Sequence, residues 1–286
     1  MWFGAIDERH LYASLRLSVH LFMRDSGAPC SEKPSATGFV MRRGLFEKDP
    51  GILVTNRHVL DPDYNRVPKG KKLDKIAVSG FLQETHLGDI VGPAKPVQFK
   101  ILDPVPVFAD SEADIAVIDL RSAKIPGGCP QLTQLPSMQL ATTDDFQSRI
   151  HVATEIITPG YPSIEQKVTK RPFLVSGTIA SDPREAAEIG PKEYKDCVIC
   201  HSFSWGGMSG SPVFCRLVAE PEDPKSWDEQ EVHGPLTEVR LAGVNRGHLK
   251  IGGSNEGALS YFAKSTVLDQ LLGKVGVKKY PDTWRM

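Results

Sequence analysis

Ser204-Trp205-Gly206-Gly207-Met208-Ser209-Gly210-Ser211-Pro212-Val213-Phe214 is the stretch on which the reading of this chain turns. One serine, Ser209, sits among glycines and is followed by a short apolar run that reads as a strand. Glycine reaches backbone conformations closed to other residues and lets a foreign backbone come close. A serine on such a turn, with backbone N–H groups facing an open site, has what acyl transfer requires.

Two upstream segments supply what a serine nucleophile lacks. An unassisted hydroxyl is weak and needs a base within hydrogen-bond reach. Thr55-Asn56-Arg57-His58-Val59 offers His58, an imidazole that titrates near neutrality. Ala113-Asp114-Ile115-Ala116-Val117 offers Asp114, a carboxylate to fix the imidazole tautomer and stabilise its cation. Asp110 and Asp119 compete for that role, but Asp119 lies inside the strand run and Asp110 lacks the Ile-Ala-Val that follows Asp114. Taken singly, each segment has a bland reading: a satisfied histidine, a strand entry, a turn. Taken together, in the order His, Asp, Ser, they resemble the chymotrypsin-fold (trypsin-like) serine proteases. The likeness is to their bacterial branch, the high-temperature-requirement proteases and glutamyl endopeptidases.

That resemblance implies an all-β fold of two antiparallel six-stranded β-barrels with the active site between them and a C-terminal α-helix. Mapped onto this chain, residues 10–122 would form the barrel carrying His58 and Asp114, and 123–139 a linker. Residues 140–286 would form the barrel carrying Ser209, plus the helix. It implies a serine endopeptidase working through an acyl-enzyme, with no metal or organic cofactor. The N–H groups of Gly207 and Ser209 would form the oxyanion hole. Ser211 stands where many relatives carry glycine and is the wrong serine by alignment. Met208 replaces an aspartate that, in digestive relatives, pairs with a newly cut N-terminus. A thioether cannot pair with an ammonium, so activation by N-terminal trimming is not expected. Phe203 would floor the primary specificity pocket, and Val244, Asn245 and Arg246 would form its wall and pair with substrate backbone. No carboxylate stands at that floor, which argues against a trypsin-like preference for Arg or Lys, whereas Arg246 and His248 could supply positive charge.

The rest of the chain fits this frame. Short β-like runs dominate: 35–41, 52–55, 76–81, 97–101, 115–120, 152–157, 173–180, 197–203, 212–218 and 238–245. Such spacing suggests an all-β sandwich or barrel. Only 264–275 has a helical pattern, with Val267, Leu268, Leu271 and Leu272 on one side. Leu15, Leu17, Val19 and Leu21 alternate with Arg16, Ser18 and His20, the period of a half-buried strand. Asp7 and Glu8 stand where an export signal would be positive, so a cytoplasmic protein is expected. The segment 219–235 reads as a solvated hairpin tip or as a substrate-rim or partner loop, and 180–195 as a second irregular stretch.

Charge is nearly balanced, 34 basic against 35 acidic residues among 286. Nothing suggests a grip on nucleic acid or membrane, so the expected partner is a protein or peptide substrate, with room for a regulatory protein. Five cysteines are an odd count for a disulfide framework. Cys197-Val198-Ile199-Cys200 has zinc-knuckle spacing without a second ligand pair, so free thiols are expected. Neither a phosphate-binding loop nor a dinucleotide fingerprint occurs. The rival to an enzyme is a catalytically silent, protease-like binding module, favoured by Met208 and the crowded aromatics Phe203 and Trp205.

Overall fold

The computed structural model describes residues 8–30, 34–44, 49–61, 63–64, 70–82, 85–86, 89–90, 93–109, 112–163, 170–218, 237–249 and 257–277. Asp110 and the segment 219–235 therefore lie outside the described residues. The first half holds β1 (Ser14–Met23), β2 (Ser35–Met41), β3 (Ile52–Asn56), β4 (Lys71–Leu82), β5 (Thr85–His86) and β6 (Asp89–Ile90). It continues with β7 (Lys95–Leu102), β8 (Val107–Phe108), β9 (Ile115–Asp119) and β10 (Gln134–Leu135). The second half holds β11 (Glu155–Gly160), β12 (Phe173–Ile179), β13 (Ala187–Ile189), β14 (Lys192–Tyr194) and β15 (Cys197–Ser204). Then come β16 (Pro212–Val218), β17 (Thr237–His248) and β18 (Gly257–Lys264). Among the described residues the α-helices are short: α1 (Glu8–Tyr12), α2 (Arg57–Leu60), α3 (Thr143–Ser148) and α4 (Ser265–Lys274).

The alternation read in the sequence sets the face of β1. Leu15, Leu17, Val19 and Leu21 are buried while Arg16 is exposed, as a strand with one wet face requires. The N-terminal sheet runs β7-β4-β1-β2-β3-β9-β8, with β10 added in parallel to β2. Among the described residues this path is open: its end strand β8 has two residues and pairs only with β9. The C-terminal strands close as β11-β12-β15-β18-β17-β16, because Ile156 and Ile157 of β11 meet Cys215 and Phe214 of β16. One closed six-stranded barrel is thus present, joined to a β-sheet.

Three apolar clusters hold these halves. One fills the N-terminal sheet around Leu17, Val40, Leu53, Ile76 and Ile118. Another fills the barrel around Ile156, Val198, Cys215 and Phe262. A third joins them: Phe39, Val54 and Ile115 pack with Phe214, Leu241 and Val244, and with Leu268 and Leu271 of α4. The helix buries Val267, Leu268, Leu271 and Leu272, the stripe that the 3.6-residue period picks out. Its first residue is tied down, with Ser265 Oγ donating to the Ala141 carbonyl at 2.6 Å.

Several elements escape the sequence reading. β18 is one, although it closes the barrel by pairing with both β15 and β17. α3 is another, and it begins with a capping box in which Thr142 and Asp145 bond reciprocally. The stretch 180–195 contains the hairpin β13–β14. All five cysteines are free thiols, and Cys197, Cys200 and Cys215 are buried. Among the described residues no helix is long and apolar enough to cross a membrane.

Candidate active site

β3 runs straight into α2, so its last residues deliver His58 to the rim of the N-terminal sheet. β9, the neighbour of β3, is preceded by Asp114. There the two side chains meet: His58 Nδ1 lies 2.7 Å from Asp114 Oδ2, and the His58 backbone N–H donates to Oδ1 at 2.9 Å. The Asp114 carbonyl accepts from Arg57 N and from Asn56 Nδ2, each at 3.0 Å. Asp114 takes φ 60°, a left-handed conformation that aspartate tolerates better than most residues. Its side chain is 4% exposed and that of His58 41%. A buried carboxylate thus fixes one face of an imidazole whose other face is open. Asp119 is committed elsewhere, to an ion pair with Arg43 and a bond from Arg121 N.

The turn carrying Ser209 is pressed against the same end of the sheet. Thr37 N donates to the Ser209 carbonyl at 2.9 Å, and Thr37 Oγ1 donates to the Gly207 carbonyl at 2.8 Å. Thr55 Oγ1 in turn donates to the Thr37 carbonyl at 2.8 Å. Gly210 lies so close to these threonines that a Cβ there would sit 2.2 Å from the Thr37 carbonyl oxygen. Its φ of 86° excludes most side chains anyway. Sequence reasoning missed Thr37 and Thr55, because threonines in β-strands are ordinary and nothing local marks them.

Two peptide planes on this turn are oriented from behind. In a planar trans peptide the C=O and the next N–H point in opposite directions. The Gly206 carbonyl accepts from Ser163 N at 2.6 Å, which turns the Gly207 N–H the other way. The Met208 carbonyl accepts from Asn245 Nδ2 at 2.9 Å and from Ser211 N at 3.1 Å, which does the same for the Ser209 N–H. Among the described residues neither N–H donates to the protein. Gly207, at φ 89°, has no room for a Cβ, which would meet the Tyr161 carbonyl at 2.5 Å.

The remaining expected residues occupy varied positions. Ser209 is part-exposed, and among the described residues its hydroxyl makes no hydrogen bond, to His58 or to any other group. Ser211 is fully buried with its hydroxyl unpartnered, so only one of the two serines faces solvent. Met208 is fully buried and packs beside Gly160. Val244 is buried in the shared core, and Asn245, 3% exposed, spends its side chain on the Met208 carbonyl and Ser204 Oγ. Phe203 is 57% exposed and stacks on Trp205 with centroids 5.9 Å apart, on an open surface.

Arg246 turns inward. Its Nε lies 3.4 Å from Asp114 Oδ2, with the side chain 9% exposed. Burial alone would lower its pKa, but the Asp114 carboxylate and a hydrogen bond to Cys197 Sγ outweigh that effect and raise it. Burial pushes the neighbouring Cys197 thiol up. Behind this cluster opens a cleft of about 220 Å³ lined by Glu112, Tyr194, Asp196 and Cys197, among others.

The model of the trypsin-like peptidase domain matches residues 36–217. Among solved structures the fold resembles Deg5, with 14% identity and a TM-score of 0.50 over 92% of this chain and 88% of that one. It also resembles a variant of AlgW, an HtrA-type protease with a decapeptide, with 15% identity and a TM-score of 0.51. That match covers 94% of this chain and 64% of the AlgW chain. No curated protein sequence matches.

Proposed function

The chain belongs to the trypsin-like peptidase family and is a serine endopeptidase; on that premise we propose that it cleaves peptide bonds with Ser209 as nucleophile, His58 as base and Asp114 as orienting carboxylate. Asp114 occupies His58 Nδ1, leaving Nε2 to take the Ser209 proton as Oγ attacks the scissile carbonyl. The tetrahedral oxygen accepts from the N–H groups of Gly207 and Ser209. His58 then returns the proton to the leaving amine, and water repeats the sequence on the acyl-enzyme. The observation that supports this reading is the pair of tied-back carbonyls, Gly206 and Met208, whose peptide planes leave the Gly207 and Ser209 N–H groups without a protein acceptor among the described residues, together with the carboxylate-bound imidazole of His58.

Substrate backbone would add beside Arg246–His248. The register of β17 with β16 ends where Val244 meets Pro212, and a substrate strand would extend the sheet from that point. Five free thiols, three of them buried, support a reducing compartment inside the cell. The rival reading, a silent binding module, draws on the missing hydrogen bond between Ser209 and His58. Catalytic hydrogen bonds are often long without substrate, and the free N–H pair has no evident use in a silent module.

Labelling by a fluorophosphonate decides between them. Wild type and Ser211→Ala are expected to label, whereas Ser209→Ala and His58→Ala are not. A wild-type chain that neither labels nor cleaves a peptide library would overturn the enzyme mechanism in favour of the binding module.

A further inference from the structure

Arg246 lies on the strand expected to line the substrate, yet its side chain is 9% exposed and turns to Asp114. It is enclosed by the Tyr194 ring, 4.7 Å from its central carbon, the Tyr261 ring at 5.8 Å, and Cys197 Sγ, 3.6 Å from one terminal nitrogen. Among the described residues the only carboxylate within ion-pair distance is Asp114, through Oδ2, the oxygen that also meets His58 Nδ1. A buried cation without a counter-charge is strongly unfavourable, and a buried carboxylate equally so. Each of these two ions therefore depends on the other. Among the described residues the other hydrogen bonds to the Asp114 side chain come from His58, through its ring and its backbone N–H. Among the described residues Arg246 alone meets the carboxylate from the barrel side, across the joint between the two halves.

We propose that Arg246 is a positioning residue for the triad: it holds Asp114 Oδ2 at the His58 ring and does not read the substrate side chain. The two roles separate kinetically. A residue that binds substrate moves KM and the residue preference, whereas one that sets triad geometry moves kcat. This inference rests on the proposed Ser209 mechanism. It makes the β13–β14 hairpin, through Tyr194, part of the wall that holds the triad.

The test compares Arg246→Met, Arg246→Lys, Asp114→Asn and the double variant Asp114→Asn/Arg246→Met. Arg246→Met is expected to lower kcat by at least about tenfold, to leave KM within about twofold, and to leave the peptide-library preference as in wild type. Arg246→Lys, which keeps the charge, should recover part of the lost kcat. In urea, Asp114→Asn should lower the unfolding midpoint by stranding Arg246, and the double variant should regain it. A rise in KM with kcat intact, or loss of a preference for acidic residues, would return Arg246 to the substrate wall. A double variant no more stable than Asp114→Asn would remove the mutual dependence on which the role rests. Fluorophosphonate labelling of wild-type Ser209 keeps the two failures apart: no labelling sinks the mechanism, while labelling with kcat unchanged in Arg246→Met sinks this inference alone.

Discussion

Asn245 Nδ2 donates to the Met208 carbonyl at 2.9 Å, and through the rigidity of one peptide plane this bond turns the Ser209 N–H the opposite way. Asn245, expected to line the substrate, is 3% exposed. Asn245→Ala should cut kcat on the order of 10²-fold, the scale reached when one oxyanion donor is lost. The bond from Ser211 N to the same carbonyl keeps the loss from being complete. KM should hold, and a boronate inhibitor should bind more weakly in the same proportion. Unchanged kcat would mean that the Ser211 bond suffices alone.

The Thr37 hydroxyl bonds twice across the two halves. Its Oγ1 donates to the Gly207 carbonyl at 2.8 Å and accepts from Tyr161 N at 3.0 Å. Thr37→Val preserves the shape and leaves both buried partners unsatisfied, a cost of about 1–3 kcal/mol each. Thr37→Ser, which keeps the oxygen, should cost much less. Urea denaturation and kcat should move together in the valine variant. A valine variant as stable as wild type would show that water replaces the hydroxyl.

What the sequence made legible follows the range of the signal. Period-two alternation placed β1, and period-3.6 spacing placed α4, because both patterns are local and strong. His58 and Asp114 could be singled out because their chemistry needs particular residue types, and the glycines around Ser209 mark a turn that no other residue allows. Thr37, Ser163 and the inward turn of Arg246 were not legible. Each acts through a partner more than 40 positions away in the chain (Thr37 and Gly207 are separated by 170), and nothing nearby announces the contact. β18 was missed because Gly257-Ala258-Leu259-Ser260-Tyr261 reads as weakly apolar. It is a strand by virtue of its two neighbours.

Leu268 lies in the cluster shared by both halves and is fully buried. Leu268→Ala should destabilise the chain by about 2–5 kcal/mol, the transfer term plus the cavity left behind. Because that cluster joins the sheet to the barrel, tryptophan fluorescence and far-UV circular dichroism should report one coincident transition. Two separated transitions would show that the halves unfold independently.

Alkaline pH should unfold the chain through its buried acids. Burial pushes the Cys215 thiol up to about 12 and the Cys200 thiol and Tyr161 phenol further still. In the unfolded chain a thiol titrates at about 8.5, so below that pH both states hold the proton and stability is unaffected. Above it the unfolded chain releases protons that the folded chain retains, and stability falls with rising pH until the folded group also titrates. Each such thiol removes up to about 1.4 kcal/mol per pH unit in that window. The urea midpoint should therefore be level up to about pH 8.5 and decline steeply beyond it. Cys215→Ala should start lower, for the small cavity it makes, and decline less steeply. Parallel declines in wild type and variant would show that other groups carry the alkaline transition.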